Sequence, residues 1–332
     1  MAKVDYRKIK TTTVAMKVES VRGTYETLAA ADTYCVQNAT LPTVTPNILE
    51  LDCSNGTLTP ADNTVLIGDE EVTFNFDIAF PISELATTPY SDYLSNIGLL
   101  WTAGGFVTSD AGGVSITSTP DDDADDSISF SYNVGGWEYR ARGCVANEIK
   151  ISAIIKQAVF MNISLIGTLE SRSEQTPLAK TGIYSPDKEV CGGLTFRLTD
   201  DNFVTAYLSK CNSAVLTITN TVIPIESITA TKGIAYHAII DRDTRIMFEC
   251  SPFYVGTDQK DEDVYGFYTD STKVEIDLSG AGNEIIQLKG KIKAFEGKDV
   301  NGAFKNDVEI RVTGTGAETA PNLPIYIKVY SA

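Results

Sequence analysis

Apolar and polar positions alternate most densely between Ser127 and Thr168, and that pattern predicts consecutive strands joined by tight turns. Ile128, Phe130 and Tyr132 alternate with Ser129, Ser131 and Asn133 until Gly135-Gly136 breaks the run. Glycine takes positive φ without a Cβ clash, so a Gly-Gly pair between two alternating runs predicts a hairpin. The next strand sets Trp137, Tyr139, Ala141, Gly143 and Val145 on one face and Glu138, Arg140 and Arg142 on the other, because strand side chains alternate with period two. Met161, Ile163 and Leu165, opposed to Asn162 and Ser164, predict a further strand.

The same pattern returns later in the chain. Moved by 147 positions (284 − 137) without a gap, Trp137–Thr168 falls on Glu284–Thr315. Gly143 meets Gly290, Ile163 meets Ile310 and Gly167 meets Gly314; Arg140 and Arg142 meet Gln287 and Lys289. Identity is low, yet the faces agree through the block, which predicts a duplicated β-domain.

Around these blocks the chain reads as follows. Residues 1–12 are basic and Thr-rich and predict an arm, and Thr13–Ser20 a first strand. Pro42 and Pro46 confine their segment to edges and turns. Asn47–Gly68, with an Asn55-Gly56 turn signal and Pro60, predicts a long excursion off the sheet. Val72, Phe74, Phe76 and Ile78 share one face of a strand at Val72–Phe80. Ser91–Gly104 predicts the one helix: Ser91 can cap its first turn, Leu94, Ile97 and Trp101 form an apolar stripe, and Gly104-Gly105 supplies the stop. Residues 171–188, with Pro177 and Pro186, predict a linker, after which strands dominate to a closing strand at Ile325–Val329. The predicted class is all-β: tandem sandwich-like domains at 13–170 and 189–332 with one flanking helix.

Composition narrows the function. A chain of 332 residues with 43% hydrophobic content can bury a large core. A net charge of −17 argues against a direct nucleic-acid grip, which needs clustered Lys and Arg to displace phosphate counterions. An acidic surface would instead let DNA slide past without sticking; plain solubility explains the charge equally well. Six cysteines without a close pair and one histidine, His237, predict no metal site, although a Cys191–Cys211 disulfide stays open. The basic N-terminus has no apolar stretch behind it, which predicts no cleaved leader, and Lys150, Lys156 and Gln157 interrupt the most apolar run, which predicts no membrane span.

No constellation predicts catalysis. The Asp-rich run at Asp121–Asp126 lacks the glycine and terminal glutamate of an EF-hand loop, so a solvated turn explains it better. Asp69-Glu70-Glu71 and Asp261-Glu262-Asp263 are expected in wet turns, and His237, inside an alternating strand, is expected to be structural. No nucleotide-binding or nucleophile-elbow motif occurs, so neither cofactor nor enzyme activity is expected. What does ask for explanation is Gln287, Lys289, Lys291 and Lys293, a basic stripe in an acidic protein. It reads as protection of a sheet edge or, together with Glu138, Arg140 and Arg142 of the first block, as a surface that meets a neighbouring subunit.

The order of these features, from VRGTYETLAAADTYCVQNATLPTVTP through VTFNFDIAF and DYLSNIGLLWTAGGF to the SISFSYNVGG block, resembles the tail tube proteins of long-tailed bacteriophages, in particular the tube family with two related halves. The resemblance covers Val21–Ser171 and, more loosely, Val215–Val329; the basic arm and the Asp-rich insertion depart from it. It implies β-sandwiches with a flanking helix, whose inner strands join neighbouring subunits into a β-barrel. Three chains, or alternatively six, would close a ring, and rings would stack into a hollow tube in the virion tail. The partners implied are further copies of the chain, other tail proteins at the tube ends, and DNA that passes without specific binding. On this reading the hairpins Ile128–Cys144 and Lys273–Phe295 line or flank the bore. The excursion carrying Asn47, Leu49, Asp52, Asn55, Gly56 and Pro60 reaches toward the adjacent ring. The rival expectations are the inner tube of a contractile tail-like injection system and a carbohydrate- or receptor-binding β-sandwich. The second would place aromatic clusters in loops, whereas Trp101 and Trp137 fall inside periodic elements. A hydrolase is the weakest, for want of a triad.

Overall fold

The computed structural model describes residues 12–51, 64–80, 97–109, 115–118, 126–179, 195–200, 205–227, 233–280, 283–300, 303–313 and 325–328. The first half contains β1 (Thr12–Val18), β2 (Thr33–Tyr34), β3 (Thr43–Leu51), β4 (Thr64–Ala79), helix α1 (Gly98–Ala103), β5 (Phe106–Ser109), β6 (Ser115–Ser118), β7 (Ile128–Val134), β8 (Trp137–Ile154) and β9 (Phe160–Glu174). The second contains β10 (Thr195–Asp200), β11 (Ala206–Glu226), β12 (Ile234–Cys250), the short β13 (Tyr254–Val255) and β14 (Asp258–Gln259), helix α2 (Asp261–Thr269), β15 (Lys273–Gly280), β16 (Asn283–Val300), β17 (Ala303–Val312) and β18 (Ile325–Lys328). The fold is all-β, with two α-helices among the described residues.

The second half closes on itself. Its pairings run β10–β11, β11–β12, β12–β17, β17–β16, β16–β15 and β15–β10, a barrel of six strands in which every step is antiparallel. Where alternation predicts a sandwich, the strands form a ring: period two tells a strand which face is apolar, but not whether the last strand meets the first.

The first half repeats these steps. β1 pairs with β2, β3 with β4, β4 with β9, β9 with β8, β8 with β7, and β7 with β1. Between β2 and β3, Gln37 exchanges both backbone hydrogen bonds with Asp77 at 2.8 Å, and the Thr40 N–H reaches the Asn75 carbonyl at 3.0 Å. The strand run β2–β3 therefore takes the place that β11 takes in the second half, and each half carries a helix between its third and fourth ring strands in chain order, α1 between β4 and β7 and α2 between β12 and β15. The gapless shift of 147 does not survive in register. Ser152 faces Phe160, yet the shifted partners Asp299 and Asp307 face Phe304 and Glu296 instead. Three irregularities in the β8–β9 pairing against one in β16–β17 account for the slip.

The halves share a sheet. Glu148–Ile154 of β8 pairs with Thr219–Ser213 of β11, so the order β3–β4–β9–β8–β11–β12–β17–β16 runs unbroken from one half into the other. One face of it is core: Phe74 and Phe76, Ile163, Ile151, Leu216, Ile246 and Ile310 are all buried. The alternate positions, among them Asn75, Asp77, Asn162, Lys150, Thr217, Arg245 and Glu309, are not. β18 pairs with both β6 and β16 and so ties the β5–β6 hairpin to the second half.

Several expectations change. Within the predicted helix Ser91–Gly104, the described helix is Gly98–Ala103; residues 91–96 lie outside the described residues. Trp101 and Leu100 are fully buried as the stripe predicts, and the left-handed stop is Gly105 (φ 73°), not Gly104 (φ −83°). Asp261-Glu262-Asp263, expected in a wet turn, is the start of α2. Asp261, Glu262 and Asp263 occupy its first turn, where the helix dipole favours negative charge, and the Asp261 carboxylate accepts the Phe253 N–H at 2.8 Å. The described part of the excursion is a paired arm in which β3 and β4 stay hydrogen-bonded, past an irregularity at Asn47, out to Leu51 and Thr64. The predicted linker begins inside β9, which continues to Glu174. Gly135 and Gly136 do form the two-residue turn, both at positive φ, with Val134 opposite Trp137.

Candidate functional site

The polar groups that matter gather along the seam between the halves. Glu19, just past β1, is buried and accepts four hydrogen bonds. Oε2 receives the Gly23 N–H at 2.7 Å and the Ser127 hydroxyl at 2.5 Å; Oε1 receives the Gly143 N–H at 2.8 Å and the Ser129 hydroxyl at 3.0 Å. The serines that alternate through β7 are therefore buried as well, since that strand is covered on both faces. Gly23 (φ 75°) and Gly143 (φ 59°) take left-handed backbone, and a Cβ on Gly23 would lie 2.1 Å from the Ala235 carbonyl oxygen. The first half touches the start of β12 through that glycine.

Arg142 crosses the same seam. Its guanidinium donates to the carbonyls of Gly23 (2.9 Å), Ala235 (3.4 Å) and Ile234 (3.4 Å) and pairs with Glu170 at 3.0 Å and Asp69 at 3.9 Å. Asp69 in turn accepts the Ile234 N–H. Arg22 donates to the His237 carbonyl at 2.7 Å and lies 4.2 Å from the Tyr236 ring, a cation–π contact. Asp69 and Glu71, expected in a wet turn, belong to β4; Asp69 is 2% exposed.

A second bridge lies at the end of α1. Arg242 of β12 donates to the carbonyls of Gly104 (2.5 Å) and Gly105 (3.0 Å) and to Asn220 Oδ1 (2.9 Å), with its guanidinium 4.1 Å from the Phe106 ring. Asn220 reaches back to the Ala146 carbonyl at 2.7 Å. A cation from one half thus satisfies the carbonyls left over at a helix end in the other.

His237 is fully buried, with Nε2 3.3 Å from a Glu71 carboxylate oxygen. Burial pushes its pKa down, against the raising pull of Glu71. A histidine held neutral in the fold binds its proton more readily when unfolded. Stability therefore falls as pH drops below the ordinary value of 6.5, until the lowered folded pKa is reached. We expect the urea midpoint to fall less between pH 7.5 and 5.5 in His237→Gln than in the wild type; equal falls would refute this assignment.

The residues singled out from sequence are dispersed. Glu138 is buried and accepts from Ser131 at 2.6 Å and Arg140 at 2.9 Å; Arg140 is partly exposed, and Arg142 lies in the seam. Lys289 is 8% exposed and 3.4 Å from Glu275, whereas Lys291 and Lys293 are exposed. Gln287 sits in β16 opposite Asp277 and Tyr326. Asn47 is exposed at an irregularity in β3, and Leu49 faces Leu66; Asp52, Asn55, Gly56 and Pro60 lie outside the described residues. Sequence reasoning missed Glu19, Arg22, Asp69, Arg242 and Asn220, because nothing in a single chain marks a polar side chain whose partners lie a hundred residues away.

Among the described residues no group of His, Cys, Asp and Glu could hold a metal, and Cys35, Cys144 and Cys250 are free thiols. Cys191 lies outside the described residues. No described helix is long and apolar enough to cross a membrane.

On the polar face of the shared sheet, cations stand beside carboxylates. Asp243 pairs with Arg245 (2.6 Å) and Arg311 (2.8 Å), and Lys298 with Glu249 (2.9 Å) and Asp307 (2.6 Å), while Lys305 also reaches Glu249 at 2.8 Å. Such exposed pairs add little stability, but they leave these cations less available to a passing anion. No family model matches this sequence, and no curated protein matches it.

Proposed function

We propose that the chain is a structural subunit of a phage tail tube, with two tube-type domains that together supply one third of a pseudo-sixfold ring. The observation that carries this reading is the repeated order of pairings in the two halves, joined edge to edge through β8 and β11. A chain that already sets two equivalent units side by side in one sheet has the geometry from which a ring grows. The order of sequence features supports the same family.

In this reading the polar face of the shared sheet forms the bore, in the virion tail. Its carboxylates repel phosphate, and Arg245, Arg311, Lys298 and Lys305 are held in ion pairs with them, which leaves fewer open cations at which DNA could stall. Screening limits the repulsion to about 8–10 Å, so only the wall itself counts. The β3–β4 arm reaches toward the neighbouring ring, and other tail proteins cap the tube ends. Negative-stain imaging of the purified chain at high concentration is expected to show rings or hollow filaments. Solid globular particles at every concentration would overturn the proposal.

A further inference from the structure

β8 is flanked by β9 on one side. On the other it is flanked first by β7, as far as Cys144, and then by β11 from Glu148 onward. The equivalent β16 is flanked by β17 on one side and by β15 on the other, but the pairing with β15 stops at Lys291, opposite Lys273. Beyond that point, along Ile292–Lys298, no described strand takes the place that β11 takes beside β8.

The complementary edge is at the other end of the sheet. β11 has β12 on one side and β8 on the other, and it meets β8 just after the irregularity at Asn212. Its counterpart in the first half has a left-handed kink at Asn38 (φ 49°), followed by Ala39–Thr45. That stretch has β4 on one side and no described strand on the other. Leu41 within it is 57% exposed, and Ile48 beyond it 51%. The sheet thus ends in two different edges, each lacking the partner that its internal equivalent has.

We infer that the two ends fit each other: the Ile292–Lys298 edge of β16 in one copy receives Ala39–Thr45 of a second copy, antiparallel, as β8 receives β11 within the chain. The joint is heterologous, so it propagates head to tail and closes only when the last copy meets the first. Pro42 removes one donor from the edge, so the joint between chains is weaker than the one inside the chain. This deepens the proposed self-assembly and rests on it, but it fixes which edges meet.

The test uses full-length chains blocked at one end. Asp77 exchanges both backbone bonds with Gln37, so Thr73, four residues before it, turns its backbone to its partner Thr43; the Val44 N–H therefore points outward, and Val44→Pro blocks the first edge while sparing the pairing with β4. Glu296→Pro and Gly297→Pro, made separately, cover both directions on β16; the one that keeps the wild-type unfolding midpoint is the outward block. Light scattering after size exclusion should find each blocked variant monomeric at 35.9 kDa and their mixture a one-to-one dimer held by the single remaining joint. A dimer of either variant alone, monomers in every mixture, or wild-type assembly by both variants would overturn the joint. Hollow tubes from both variants would overturn it while leaving the tube reading intact. A mixed dimer from a chain that never forms rings would do the reverse.

Discussion

Glu19→Ala is expected to lower the stability of the chain by about 2–6 kcal/mol. One carboxylate holds the Gly23 and Gly143 amides and the Ser127 and Ser129 hydroxyls at a buried point. The hydroxyls can turn to other acceptors, but the amides cannot, and each buried amide left without a partner costs about 1–3 kcal/mol. Both glycines sit at positive φ, so the backbone cannot relax toward ordinary strand without moving the turn that Ala235 packs against. Urea denaturation monitored by circular dichroism gives the number directly. A loss below about 1 kcal/mol would show that the amides find other partners. Glu19→Gln should fall between the two, because its carbonyl still accepts but its amide turns donor to donor.

The apolar half of this architecture was legible in the sequence and the polar half was not. Val72, Phe74, Phe76 and Ile78 alternate in the chain and are buried together, because burial of one strand face selects apolar side chains at every second position. The Gly135-Gly136 turn was legible for an equally local reason. The ring closure was not, because it depends on Leu198 of β10 meeting Ile276 of β15, and neither residue advertises the other. α2 was hidden by its length: nine residues with Gly266 inside give no readable helical period, and an acidic first turn looks like a loop. The burial of the β7 serines was not legible, because alternation cannot tell water from a buried carboxylate. The strand-to-strand duplication was legible, but its register was not, since irregularities shift the partners without changing which face is apolar.

Arg142→Ala is expected to cost about 3–5 kcal/mol, the usual penalty for removing one side of a buried charged pair, and to uncouple the two halves. The change strips the guanidinium from the Gly23, Ala235 and Ile234 carbonyls and leaves Asp69, whose side chain is 1% exposed, without its cation. The β8–β11 pairing remains, but strand pairing alone lets the halves hinge, whereas Arg142 and Arg22 pin the start of β12 onto the loop at Gly23. The wild type is expected to unfold in one transition and the variant in two, resolved by calorimetry; a single transition with an unchanged slope in urea would refute the uncoupling. Arg142→Lys separates charge from shape. The repeat sets Lys289 at the equivalent position, where it stands 3.4 Å from Glu275 within its own half. A lysine can match one carboxylate but cannot fan out to three carbonyls, one in the Gly23 loop and two at the start of β12. Arg142→Lys should therefore keep most of the charge contribution and still lose the single transition, because the seam depends on the planar fork.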